Sequence, residues 1–283
     1  MNLGIRMKVD RFLDSNDPWI FTTDELKWSP SRFDDVSEEQ ETELILSAHR
    51  LIFETCKTCS CGPFVIGTAC RFLLRFYMQK SVKDIAPIDL APSCIFLACK
   101  CEEIHLTLQK LILHTSRIRS RSEDFPDGEE VTPVHEQYFD EKERILKGER
   151  DILRELNFDL SVELPVRLLY DLVIIFHPKN SSTARALFQI GYGILNDSYT
   201  IRRLHLCYRS SEIATAVYYI AAKGSNVENL VLEDGYRRDA DGSRYKAWFE
   251  FYKCDVHRVR ECCDLILDMY EAEGVLSIDF EKR

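Results

Sequence analysis

The chain has 283 residues, 45% of them apolar and 30% charged, enough for one large or two small globular domains. A formal net charge of −10 argues against direct nucleic-acid binding through phosphates, and no stretch reaches the roughly 18 uncharged apolar residues of a membrane helix. The N-terminal run MNLGIRMKVDRFLD places charges where a signal peptide needs an apolar core, so cytosol or nucleus is expected and the 11 cysteines are read as reduced thiols.

Residues 1–36 read as an irregular extension. Its aromatics, Trp19, Phe21 and Trp28, are too dense for a disordered tail and are expected to pack on something. Ser37 with Gln40 fits a capping box, and a helix follows with Leu44, Ala48, Leu51, Ile52, Thr55 and Cys56 on one face. Gly62-Pro63 breaks the chain, and Val65, Ile66, Ala69, Phe72, Leu73, Phe76 and Tyr77 form the next apolar face.

A third helix covers about Asp89 to Glu103. Its centre, SCIFLACKC, is apolar nearly all round, as in a helix enclosed by other helices. With Asp89 as N-cap, Pro92 falls in the first turn, where no backbone bond is lost. Residues 106–118 read as a fourth helix, 119–134 as an exposed loop and about 135–157 as a long fifth helix. The basic run from Arg117 to Arg121 is followed at once by Glu123, Asp124 and Asp127, so its field is largely cancelled.

The pattern then begins again. Leu164-Pro165 opens a helix to about Phe176, and others are read at about 182–198, 210–223, 244–252 and 255–272. In both blocks the third helix is the most apolar, ending FLACK at 96–100 and YIAAK at 219–223. No strand pattern emerges. The reading is all-α, two tandem five-helix bundles at 37–160 and 161–275 with a tail at 276–283.

Local strings sharpen this. FLACKCEE at 96–103, GERDILRELNFDL at 148–160, FYM at 76–78, NDSY at 196–199 and EIATAVYYIA at 212–221 together resemble the paired boxes of the cyclin family. WIFTTDELKWSPSR at 19–32 and ELP at 163–165 resemble the transcription-type cyclins T, K and L. The resemblance implies a non-enzymatic subunit without cofactor. Such a subunit would bind a cyclin-dependent kinase one to one in the nucleus and activate it for phosphorylating the RNA polymerase II C-terminal domain during elongation. It also implies a kinase-binding surface centred on Lys100 and Glu149, with Glu102, Glu103, Leu153 and Phe158 around them. An ammonium there supplies donors to kinase carbonyls, and a carboxylate accepts from kinase amides.

Catalytic constellations are not expected. There is no Gly-rich phosphate loop, no G-x-S-x-G and no H-E-x-x-H. Cys56, Cys59 and Cys61 could begin a metal site, but a structural zinc needs four ligands, and the next candidates (Cys254, His257 and Cys262) lie far along the chain. Two other classes stay open. One is a double-box general transcription factor that binds DNA, which would need a basic face. The other is a helical scaffold without a kinase.

Overall fold

The computed structural model describes residues 17–121, 136–177, 181–225, 237–238, 244–245 and 251–272. The fold is all-α. Among these residues, strand structure is confined to one antiparallel pair, β1 (Arg237–Arg238) and β2 (Arg244–Tyr245), with Arg237 opposite Tyr245. The chain divides into two compact units. One is Phe21–Leu164, and the other joins Met1–Ile20 to Pro165–Arg283.

The first unit opens with two short helices, α1 (Thr23–Lys27) and α2 (Pro30–Phe33), where sequence suggested irregular chain. Thr22 and Glu25 cap α1 reciprocally, and Pro30 starts α2 at a position that needs no amide hydrogen. Arg32 pairs at 2.8 Å with Glu41, whose side chain is fully buried, and the Ser31 hydroxyl accepts the Val82 amide at 3.2 Å. The extension is therefore stitched to the bundle by polar bonds. Trp28 and Phe33 stack on each other with ring centres 6.2 Å apart, and both remain largely exposed.

Five helices make the bundle: α3 (Glu38–Cys59), α4 (Gly62–Phe76), α5 (Pro87–Cys101), α6 (Leu108–Arg121) and α7 (Glu136–Glu155). The Ser37–Gln40 capping box is present in both directions. The buried face of α3 is Ile45, Ala48, His49, Leu51, Ile52, Thr55, Cys56 and Cys59, while Leu44 is exposed. Ala48, Leu51, Ile52, Thr55 and Cys56 lie on the buried face as expected, and only Leu44, about 100° from Ile45, falls outside it. The α4 face is buried as expected, from Val65 to Tyr77.

α5 packs against α3, α4 and α7, and its apolar surface is enclosed. Such burial contributes about 1.5–3 kcal/mol for each large aliphatic or aromatic side chain. The helix begins at Pro87, with Ala86 as N-cap, so Pro92 lies inside it rather than in its first turn. The ring removes the bond that the Ile88 carbonyl would accept. Arg119 of α6 replaces it, donating from Nη2 to Ile88 O at 2.5 Å. Arg119 also approaches Asp89 at 3.3 Å and Glu141 at 3.6 Å. The basic run is thus neutralised in part by helix neighbours. The acids expected to do so, Glu123, Asp124 and Asp127, lie outside the described residues, as does most of the expected loop.

The second unit contains α8 (Pro165–Phe176), α9 (Ser182–Ser198), α10 (Arg202–Cys207), α11 (Ser210–Gly224) and α12 (Val256–Ala272). α11 is the enclosed helix here, packed on α8, α9 and α12. α10 had no counterpart in the sequence reading. The helix expected at 244–252 is not borne out at its ends: Arg244–Tyr245 form a strand and 251–253 a turn, while 246–250 lie outside the described residues. Among the described residues no helix is long and apolar enough to cross a membrane.

Candidate functional site

Lys100 occupies the last turn of α5. Its position follows from helix geometry: the apolar residues Leu97, Ala98 and Cys99 face inward, which turns residue 100 outward. Glu149 sits past the middle of α7, and α7 lies against α5 because Gly148 carries no side chain. A Cβ at Gly148 would stand 2.3 Å from Ser93 Oγ and 3.0 Å from Ser93 Cβ. The Ser93 hydroxyl in turn donates to the Ile145 carbonyl at 3.1 Å, pinning the two helices.

This close approach brings together two residues 49 apart in sequence. Lys100 Nζ donates to Glu149 Oε1 at 2.6 Å. The Glu149 side chain is 11% exposed and that of Lys100 is 52% exposed. A nearly buried carboxylate is costly unless paired, so the ammonium stabilises Glu149 in place. One ammonium hydrogen serves this bond, which leaves two donors on the exposed side. The Lys100 ammonium also lies 4.2 Å from the centre of the Phe96 ring. Phe96, one helical turn back, was missed in the sequence; the aromatic-to-lysine spacing of four was the available signal.

The other expected residues are placed as follows. Glu102 accepts from the Thr68 hydroxyl at 2.7 Å, which ties the end of α5 to α4. Glu103 adopts a left-handed backbone (φ 56°) and is exposed; it ends the helix. Leu153 lies one turn beyond Glu149 on α7 and is half-buried. Phe158 follows the end of α7 and is 72% exposed.

The Phe158 backbone is also unusual. Asn157 and Phe158 both have positive φ, 50° and 60°, which is strained for a bulky residue. The turn holds because the Phe158 amide donates to the Leu153 carbonyl at 2.9 Å and Arg75 of α4 donates to the Ser161 carbonyl at 2.8 Å. A large aromatic side chain is therefore presented to solvent by a constrained turn. With Leu153 and Phe96 it adds apolar surface to the same bundle that carries the Lys100–Glu149 pair.

A charged pair above an aromatic ring and an exposed, fixed phenylalanine are features that could be recognised by a partner protein. Among the described residues, no group of three or more His, Cys, Asp or Glu side chains is arranged to hold a metal ion.

Comparison with known proteins places the chain. The family described as "Cyclin, N-terminal domain" matches residues 19–161, half of the chain. Cyclin-L1-1 of Oryza sativa subsp. japonica is 28% identical over 256 residues, covering 90% of this chain and 55% of that protein. Cyclin-T1-2 of the same organism is 30% identical over 213 residues, covering 74% of this chain and 32% of that protein. The chain thus spans about half or less of the length of these relatives. Among solved structures, a chain of the yeast RNA Pol II CTD kinase CTDK-1 complex superposes with a TM-score of 0.64 at 17% identity, covering 89% of this chain and 73% of that one. The chain belongs to the cyclin family, whose members are regulatory subunits rather than enzymes.

Proposed function

We propose that this cyclin binds and activates a cyclin-dependent kinase of the transcription group, one to one in the nucleus, for phosphorylation of the RNA polymerase II C-terminal domain. The observation that carries this reading is the Lys100–Glu149 pair: a half-exposed ammonium and a shielded carboxylate 2.6 Å apart on neighbouring helices. Such a pair is nearly neutral as a unit and offers both donors and an acceptor. It suits a partner's main chain, which carries carbonyls and amides but no net charge. The ammonium holds the shielded carboxylate in place and, being half-exposed, turns its remaining donors toward a partner's carbonyls. Glu102, Glu103, Leu153 and Phe158 complete the contact, with Phe158 as the apolar anchor, the residue type that commonly dominates binding energy.

Activation follows from an equilibrium shift. A protein kinase needs the ion pair between its third-strand lysine and its regulatory-helix glutamate. A subunit that binds only the arrangement in which that pair is formed raises its population, by no more than the difference in affinity between the two states. All catalytic groups belong to the kinase. The similarity to cyclins T and L and to a chain of the CTD kinase complex supports the choice of transcription group.

Affinity purification from nuclear extract tests this. The full chain retains a kinase in equal amount, and the Lys100→Glu variant, with unchanged helical circular dichroism, loses it. Undiminished retention by that variant removes the site assignment, and retention of no kinase by the unaltered chain removes the function.

A further inference from the structure

A second cluster of reactive side chains lies outside the surface described above. Cys56 and Cys59 come from the last two turns of α3, Cys61 from the junction with α4, and Cys99 from α5. The Cys99 thiol donates to Cys61 Sγ at 4.0 Å, and the buried Cys56 and Cys59 closely precede Cys61 in the chain. The sequence shows only the first three. The fourth arrives from 38 residues away through helix packing.

Local backbone keeps the cluster near solvent. Ser60 is left-handed (φ 58°) and Gly62 has φ 83°, so the chain turns sharply on each side of Cys61. Ser60 and Gly62 are both exposed, and Cys61 between them is buried. Lys110 of α6 adds a positive charge beside the group, its ammonium donating to the Cys59 carbonyl at 3.3 Å. The neighbouring thiols of Cys56, Cys59 and Cys99, with Lys110 close by, pull the Cys61 thiol below the ordinary range. The three neighbouring thiols move the opposite way.

We propose that Cys61 and Cys99 form a reversible thiol-oxidation site that closes a disulfide on meeting a hydroperoxide. The Cys61 sulfur attacks one peroxide oxygen. An S–O bond forms, the O–O bond breaks, and the departing hydroxide takes a proton to become water. Cys99, giving its proton to the second leaving hydroxide, then attacks the Cys61 sulfur; the S–S bond forms and the S–O bond breaks. Two thiols lose two protons and two electrons, and one hydrogen peroxide becomes two waters. A dithiol reverses the step by exchange. Closing 4.0 Å to a bond of about 2 Å needs side-chain rotation from both residues. A metal ion is the other ligand that clustered thiols take. Because no described group is arranged for one, disulfide chemistry is the reading the geometry favours.

The test is mass spectrometry on the full chain, treated with hydrogen peroxide, alkylated, and digested. The expected result is a linked pair of peptides whose fragments place the bridge between Cys61 and Cys99, reopened by dithiothreitol. Cys61→Ala and Cys99→Ala each abolish the linked peptides, whereas Cys254→Ala does not. In Cys99→Ala, dimedone traps the sulfenic acid on Cys61, which is readable even if that variant is less stable. Absence of any bridge, a bridge from Cys61 to Cys56 or Cys59 instead, or one zinc per chain that blocks alkylation overturns the proposal. No kinase enters the measurement, so its outcome stands apart from that of the affinity purification.

Discussion

Helices α5 and α11 are each enclosed within their own bundle, and each carries an aromatic residue four positions before a terminal lysine. In α5 the Lys100 ammonium stands 4.2 Å from the Phe96 ring and is paired with a carboxylate from α7. In α11 the Lys223 ammonium is 5.9 Å from the Tyr219 ring, and among the described residues no carboxylate pairs with it. The second bundle places its ion pair at the other end of the helix. There the buried Glu212 is held by Arg258 of α12 at 2.6 Å and 3.1 Å, and Arg258 also donates to the Cys207 carbonyl and lies over the Tyr208 ring. The same residue types therefore build a surface feature in one bundle and an internal clamp in the other. A terminal lysine on an apolar helix gains a role only from what the neighbouring helix sets opposite it.

Charge reversal at the two lysines sharpens this contrast most. Lys100→Glu places two carboxylates together at the proposed contact, and kinase affinity falls by at least about 1,000-fold, about 4 kcal/mol. Lys223→Glu leaves it within a factor of about three, measured by surface plasmon resonance. Equal losses from both would break the distinction.

Acid separates the bundles next. His49 in α3 is fully buried, and neither ring nitrogen has a hydrogen-bond partner among the described residues. Burial pulls it down from 6.5 to about 4. The unfolded chain thus binds a proton that the folded chain refuses in that interval, so stability is full above about 6.5 and is lost as pH falls toward 4. The loss is about 3 kcal/mol. In the second bundle His177 Nε2 meets the Tyr218 hydroxyl at 2.9 Å and His205 Nε2 meets Ser198 Oγ at 3.1 Å. Denaturant melts at pH 7 and pH 5 should show the first bundle weakening, and His49→Leu should flatten that pH dependence. A slope unchanged by His49→Leu would refute the assignment.

Neutralising the cations comes third. Arg258→Met removes three hydrogen bonds and leaves Glu212 buried without its clamp, costing about 2 kcal/mol. Lys100→Met removes one hydrogen bond rather than three, from a carboxylate that is 11% exposed rather than 5%, and costs less, about 1 kcal/mol. Thermal melts of both variants read the difference, and the reverse ranking would mean that the Lys100 pair is structural.

The smallest contrast concerns glycines at helix contacts. Gly148→Ala meets Ser93 at 3.0 Å or less, an overpacking that exceeds the alanine's helix preference and leaves a net loss of about 1.5 kcal/mol. Gly191→Ala meets, nearest, Leu169 methyls at 3.1 Å and 3.3 Å and the Val217 Cγ1 at 3.5 Å. Small shifts of those groups offset its gain, and the melt should be within about 0.5 kcal/mol of the unaltered chain.

Much of this was legible along the chain. The capping box at Ser37, the start of α8 at Pro165, the span of α9 and the enclosed character of α5 and α11 follow from short-range chemistry, in which a cap or an apolar period involves residues a turn apart. Lys100 and Glu149 were singled out by their local strings, but their bond was not visible, because neither residue type nor spacing says which helix faces come together. Pro92 was misplaced for a related reason. Local rules assigned it to a first turn, whereas Arg119, 27 residues on, supplies the bond that lets it sit inside α5.

The sequence alone determined that the chain is helical, since apolar periodicity needs no knowledge of distant partners. Only the tertiary structure decided which lysine is paired, which carboxylate is clamped and which thiol reaches Cys61. Those outcomes depend on the close approach of helices at Gly148 and on the packing of α3, α4 and α5, and side chains separated by tens of residues become neighbours only when their backbones are already in place.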